Sequence, residues 1–482
     1  MKHALFFVGF FAGCLALSSL SAQSLTAIEA ERKQLPNGWS LTPVGKSLPL
    51  GDLPLNMVIS PSQQLMAVSN NGQGVHSLQL IDPVKETILD TKVVGKAWYG
   101  LAFSKDSKKL YAAGGHDNWI LVFDVVGQKL VTADTLRLGK PWPNKIAPAG
   151  IALDETKGLL YVVTRDDKSL YAVDLKSGTV VFQQSIEHEA YACVLTPDRK
   201  TLLISSWGGD AVLFFDTEAK RVKEKLAVGD NPNELLLANK GKTLYVANAN
   251  DNTVSVIDVS KPQVIEVLNA ALYPDAPNGS TTNGLALSKD EKTLYVANAD
   301  NNCLAVFDVS KKAQSKGMGF IPTGWYPTNV KVLGNKILVS NGKGFSSQAN
   351  PYGPNPFGNK QTVVYQQGDP NKPDKVQYIA GLFMGTLSII PAPSAAQLDV
   401  YTQVVYRNTP YNKAKEVLVS GEAGNPIPRQ TGAPSPIKYV FYVIKENRTY
   451  DQVLGDMPEG NGDPRLVLFG ENITPNQHAL AR

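Results

Sequence analysis

Glu446 and Asn447 set two oxygen donors side by side, directly behind the apolar run Ile437–Ile444. Carboxylate and amide oxygens suit hard or borderline divalent cations. A continuous apolar run is the pattern of a strand buried on both faces, and α/β folds place their chemistry at the carboxyl end of such a strand. The same residues also fit a plain strand-to-loop junction. Elsewhere the reactive side chains are sparse. Behind the first 22 residues the histidines are His76, His116, His188 and His478. His116 lies in the turn-like stretch Gly114-Gly115-His116-Asp117-Asn118, which reads as solvated. Cys193 and Cys303 fall in non-adjacent repeats and are expected to remain unpaired, as small buried thiols. No catalytic nucleophile can be assigned within the chain.

What must position these residues is a repeat. A short apolar strand, a polar turn and a second apolar strand ending in Asp recur along the chain. The clearest copies are Lys242–Asn248 and Lys292–Asn298; looser ones start at Leu65, Leu110, Leu160, Leu202 and Ile337. Successive copies lie 45, 50, 42, 42, 50 and 43 residues apart. The closing Asp is Asp82, Asp124, Asp174, Asp216, Asp258 and Asp308. Units of this length predict an all-β, seven-bladed β-propeller over about residues 40–420. The strand before each phrase has large apolar third and fifth positions, as in Leu285 and Leu287. Its second and fourth positions are mostly small, as in Gly284 and Ala286, which suits wedge-shaped blades crowding an axis. Glu234 and Lys331 break that rule: they either pair with the backbone or each other, or line the channel.

The turns Asn250–Asn252, Asp300–Asn302, Gly208–Asp210 and Asp166–Lys168 carry residues that tolerate tight hairpins, which explains them better than calcium binding does. The seventh unit is interrupted by a Gly-, Pro- and Asn-rich insertion at about residues 342–375, expected to project irregularly from one face. Its third strand resumes at Gly385–Ile390, and Leu41–Val44 is placed to close the ring. A Pro/Gly-rich linker at 421–436 precedes the tail, 437–482.

Residues 1–22 read as a signal peptide with Gln23 as the new N-terminus. The rival reading, acylation at Cys14, suffers from a short preceding apolar run. No other stretch has the length to span a membrane, so the protein is expected to be exported, periplasmic or extracellular. With 43% hydrophobic and 19% charged residues the composition is globular, and no Lys/Arg cluster invites nucleic acid.

The phrase Tyr245-Val246-Ala247-Asn248 resembles the YVTN family of β-propeller repeats over about residues 50–390. Some members of that family are lactonase-like, but no His/Asp/Glu set here matches that chemistry. The stretch Ile437–Gly455, with Glu446-Asn447-Arg448-Thr449, is similar to the opening of a phosphoesterase family that includes bacterial phospholipase C and acid phosphatases. Gly455–Asp463 and Ile473–His478 fit a subgroup with a YVTN propeller fused in front. The resemblance implies an alkaline-phosphatase-like α/β fold, of which 437–482 is an incomplete N-terminal fragment. It also implies a catalytic divalent metal with Glu446 and Asn447 as ligands. The family's nucleophile and remaining ligands come later than Arg482, so no metal is firmly expected in this fragment and no phosphoester hydrolysis by this chain alone. The function expected is therefore a secreted propeller belonging to a metal-dependent phosphoesterase. The alternative is a propeller that binds a small-molecule or protein ligand at its face without enzymatic activity.

Overall fold

The computed structural model describes residues 24–345, 350, 352–354, 362–364, 375–410, 424–428 and 433–482. The expected signal peptide and Cys14 lie outside these residues, as does most of the insertion. Alternation of large and small side chains along the inner strands is what lets sheets stack radially. The inner strands are Pro54–Ile59, Leu101–Phe103, Pro148–Asp154, Ala190–Leu195, Pro232–Ala238, Thr282–Leu287 and Trp325–Leu333. Each opens a four-stranded antiparallel sheet, and these seven sheets are blades 1 to 7. Crowding at the axis is real: a Cβ on Gly150 would stand 2.6 Å from the Ala192 Cα, and one on Gly284 2.7 Å from the Asn329 Cα.

Each hydrophobic cluster of the propeller draws on more than one blade. Ala67, Leu78 and Leu80 of blade 1 pack with Leu101, Phe103, Leu110 and Phe123 of blade 2. Met57, Met66 and Val68 pack with Leu338, Leu387 and Ile389 of blade 7. Each large side chain so buried contributes about 1.5–3 kcal/mol. The recurring Asp is a turn cap. The carboxylate of Asp216 accepts hydrogen bonds from the backbone N–H groups of Glu218 and Ala219, at 2.9 and 2.8 Å. Asp82, Asp174, Asp258 and Asp308 cap their turns in the same way. Blade 2 differs: Asp124 pairs with Lys109 at 2.6 Å, and Gly127 and Gln128 supply the positive φ that makes the turn.

Blade 7 is built from Trp325–Leu333, Lys336–Gly344, Thr386–Pro391 and the N-terminal strand Lys46–Pro49. Leu48 pairs with Leu387 and Lys46 with Ile389. The ring is thus closed by an N-terminal strand, but not by Leu41–Val44. Leu41 pairs with Lys33 in a separate two-stranded ribbon, and Val44 packs beside Ile28, Ile390 and Leu398. Gly45, at φ +78°, turns the chain into the closing strand; a Cβ there would meet the Ile389 carbonyl oxygen at 2.3 Å. An outermost strand buries little, so its sequence carries a weak pattern.

The second strand of blade 7 runs on to Gly344, past the expected start of the insertion. Within the insertion, Thr362–Val364 and Lys375–Gln377 form a two-stranded parallel ribbon rather than an added blade. The helix Ala395–Asn408 was not legible in the strand pattern. Ser394 caps it, and Leu398, Tyr401, Val404 and Val405 are buried. It lies on the outer strand of blade 6, where Gly319 leaves room: a Cβ there would meet Thr402 Oγ1 at 2.3 Å. Thr402 Oγ1 accepts from the Phe320 N–H at 2.9 Å. Cys193 and Cys303 are free thiols, and burial pushes both up.

The tail contains the helices Tyr450–Leu454 and Pro475–Ala481 and a short 3₁₀ turn at Pro464–Leu466. Ile437–Ile444 forms no strand pairing, and Tyr439 to Ile444 are each between 71% and 94% exposed. Among the described residues no helix is long and apolar enough to cross a membrane.

Candidate functional sites

The Glu446–Asn447 pair lies at the end of that extended run, and both residues are exposed. Asn447 adopts φ +63°, a left-handed conformation that Asn tolerates, and so turns the chain into the next helix. Thr449 and Gln452 then form a reciprocal capping box that starts Tyr450–Leu454. Arg448 stacks over the Phe469 ring at 5.3 Å. Deeper in the tail, the ring of His478 is enclosed between Asp456 and Thr474. His478 Nε2 meets Asp456 Oδ1 at 2.9 Å, and this bond raises the imidazole pKa while lowering that of the carboxyl. Asp451 is tied to the Asp463 N–H at 2.7 Å. The donor types of Glu446 and Asn447 fit a divalent cation, but two oxygens are fewer than such an ion takes. Among the described residues no three His, Cys, Asp or Glu side chains converge on one point.

The two polar exceptions on the inner strands meet inside the channel. Lys331 of blade 7 donates to Glu234 Oε1 of blade 5 at 2.5 Å, passing over Gly284 of blade 6. Glu234 Oε2 also accepts from the Leu285 N–H and from Asn329 Nδ2, at 2.9 and 3.0 Å. Both readings of these residues hold: they pair with each other and they line an axial cavity of about 130 Å³. Tyr99 of blade 2 and Tyr191 of blade 4 meet with ring centroids 4.5 Å apart. Burial raises both phenols, and the Glu234 carboxylate adds to the effect.

Histidine and tryptophan side chains gather on the loops at one end of the disc. In an up-and-down sheet, the turn between second and third strands and the connection to the next blade emerge on the same side. Those segments carry His76, His116 and His188, along with Trp98, Trp142 and Trp207. The second strand of blade 7 also ends on that side, at Gly344. His116 is in its predicted turn but is not simply solvated. Its ring lies 5.7 Å from that of Trp142, and its Nε2 is 3.1 Å from an Arg165 nitrogen and 3.5 Å from Asp166 Oδ2. Sequence reasoning missed Trp142, Lys145, Arg165 and Glu189 and read Asp166 only as a turn residue; the five come from three loops. The available signal was the placement of tryptophans outside the strand pattern.

Fold and loop face together define a β-propeller of seven four-stranded blades with His76, His116, His188, Trp98, Trp142 and Trp207 on the loops of one end. A family model described as YNCE-like beta-propeller matches residues 34–336, well over half of the chain, and the protein belongs to that family. Solved structures share the fold at low identity. The Kuenenia stuttgartiensis hydrazine synthase matches at TM-score 0.51 and 17% identity, over 60% of this chain and 93% of that one. U3-55K matches at TM-score 0.52 and 12% identity, over 71% and 98%. The RRP9 WD40 repeats match at 0.52 and 11%, over 74% and 100%. No curated protein matches the sequence. At such identities these structures speak to fold alone.

Proposed function

We infer that this chain is the propeller and opening catalytic segment of an exported, metal-dependent phosphoesterase. One observation carries the reading. The apolar residues Tyr439 to Ile444 are left in solvent immediately before the Glu446–Asn447 pair. A run of six large apolar residues is unfavourable in water and is accounted for by a sheet that would cover both its faces. Glu446 and Asn447 would then contribute oxygens to a divalent cation, which in such sites polarises the phosphoryl group. The chain's own part is to place these two donors at a strand end, with Asn447 in its left-handed turn and Thr449 starting the next helix. The nucleophile and remaining ligands are not among the residues assigned here.

The test is to read the gene past the codon for Arg482 and express its whole product. That product is assayed on an aryl phosphate and a phosphodiester with magnesium, manganese, calcium or zinc. Metal-dependent turnover that Glu446→Ala reduces by about 100-fold or more is expected, with none from residues 23–482 alone. A reading frame that ends at Arg482, or turnover indifferent to Glu446→Ala, overturns the reading. The second reading, a binding propeller without catalysis, is favoured by the aromatic and charged loop face.

A further inference from the structure

The loops of blades 2, 3 and 4 border an open recess of about 480 Å³ lined by His116, Trp142, Lys145, Arg165, Asp166 and Glu189. We propose that this recess is a binding site for an acidic saccharide, a polyhydroxylated ligand carrying a carboxylate. Trp142 is 58% exposed and forms one wall. A large indole face in water, set beside hydrogen-bonding groups, is a platform for a flat, partly apolar ligand surface such as a sugar ring.

The other walls are already oriented. Arg165 stacks over Trp98 at 5.5 Å and donates to Asp166 at 2.8 Å, which fixes both planar groups. Asp166 also faces His116, and Glu189 is held by Lys168 at 3.1 Å. Lys145 stands over the Trp142 ring at 5.8 Å and makes no ion pair among the described residues. The mixture selects the ligand. Two carboxylates accept hydrogen bonds, which the many hydroxyl groups of a sugar supply and a phosphate dianion, with at most one O–H, does not. Asp166 and Glu189 would repel the two charges that a phosphate concentrates on one small group, while Lys145 provides for the single carboxylate of one sugar ring. A ligand with many hydroxyls and a single negative charge per ring fits all of these groups. This inference is independent of any catalytic role for the tail.

The experiment is calorimetric titration of the chain, with tryptophan fluorescence as a second readout. The probes are trigalacturonate, neutral cellotriose and inorganic phosphate. Saturable binding of trigalacturonate is expected, with cellotriose about tenfold weaker and phosphate without effect. Trp142→Ala should weaken trigalacturonate about tenfold or more. Lys145→Gln should remove most of the preference for the acidic sugar. Trp207→Ala, on the same face but outside the recess, should change affinity by less than about twofold. Matching circular dichroism spectra and melting curves identify variants that remain folded. The proposal fails if folded protein does not bind trigalacturonate at millimolar concentrations. It also fails if Trp142→Ala binds like the parent, or if phosphate competes as strongly as the sugar.

Discussion

Two apolar runs of similar composition meet opposite fates in this molecule. Leu244, Tyr245 and Val246 of blade 5 are almost wholly buried, whereas Phe441, in the tail, is 94% exposed. Their side chains are equally suited to strands. The difference lies in what surrounds them: Leu244 and Val246 have Leu203 and Phe214 of the preceding blade against them, and Ile437–Ile444 has no pairing strand. Burial in a propeller is a property of the repeat, since no blade covers both its own faces. The lone run shows what one such strand is worth without neighbours.

The contrast is broken most severely at the axis. Gly150→Val should destabilise the propeller by about 3 kcal/mol or prevent folding, because its Cβ would overlap the backbone of blade 4 at Ala192. Urea denaturation followed by tryptophan fluorescence measures this, and a variant as stable as the parent would mean that the inner strands have slack. A matched pair of truncations sharpens the comparison. Val246→Ala should cost about 1–3 kcal/mol, while Val443→Ala should lie within about 0.5 kcal/mol of the parent. Equal costs would indicate that the tail strand is covered.

The smallest effect is a pH response confined to the tail. The hydrogen bond to Asp456 raises the folded-state pKa of His478 above its ordinary value of 6.5. The stabilisation from this pair is therefore fully present below that value and fades as pH rises through the raised pKa. At the acid end, the lowered pKa of Asp456 means that its contribution is lost as pH falls through that pKa. Asp456→Asn should return the His478 titration toward its ordinary value and flatten the alkaline fading of amide protection in Pro475–Ala481. NMR of the imidazole protons, with hydrogen exchange, reads both, and an unmoved titration would remove Asp456 as the cause.

The propeller was legible because its signals are local and repeated: an alternating inner strand, a polar hairpin and a capping Asp in each unit. Lys46–Pro49 escaped because an outer strand needs few apolar contacts, so Leu41–Val44 was the stronger pattern. The helix Ala395–Asn408 escaped because Val400, Tyr401, Thr402, Val404 and Val405 favour strands; its cap at Ser394 and its seat on blade 6 decide the outcome. Glu234 and Lys331 were visible as exceptions, but their partnership spans 97 positions in sequence and depends on ring geometry. The recess residues left less trace, since no motif links His116, Trp142, Arg165 and Glu189. In the tail, Glu446 and Asn447 were legible as a donor pair, and their surroundings were not.

Ring closure has a consequence for how the protein is made. Leu48 pairs with Leu387, so the strand synthesised first waits for one synthesised near the end of the propeller. At about 5–20 residues per second that interval is on the order of 20–70 s. Until it elapses, the apolar face of blade 1 bearing Met57, Met66 and Val68 lacks blade 7 and is open to other nascent chains or to a chaperone.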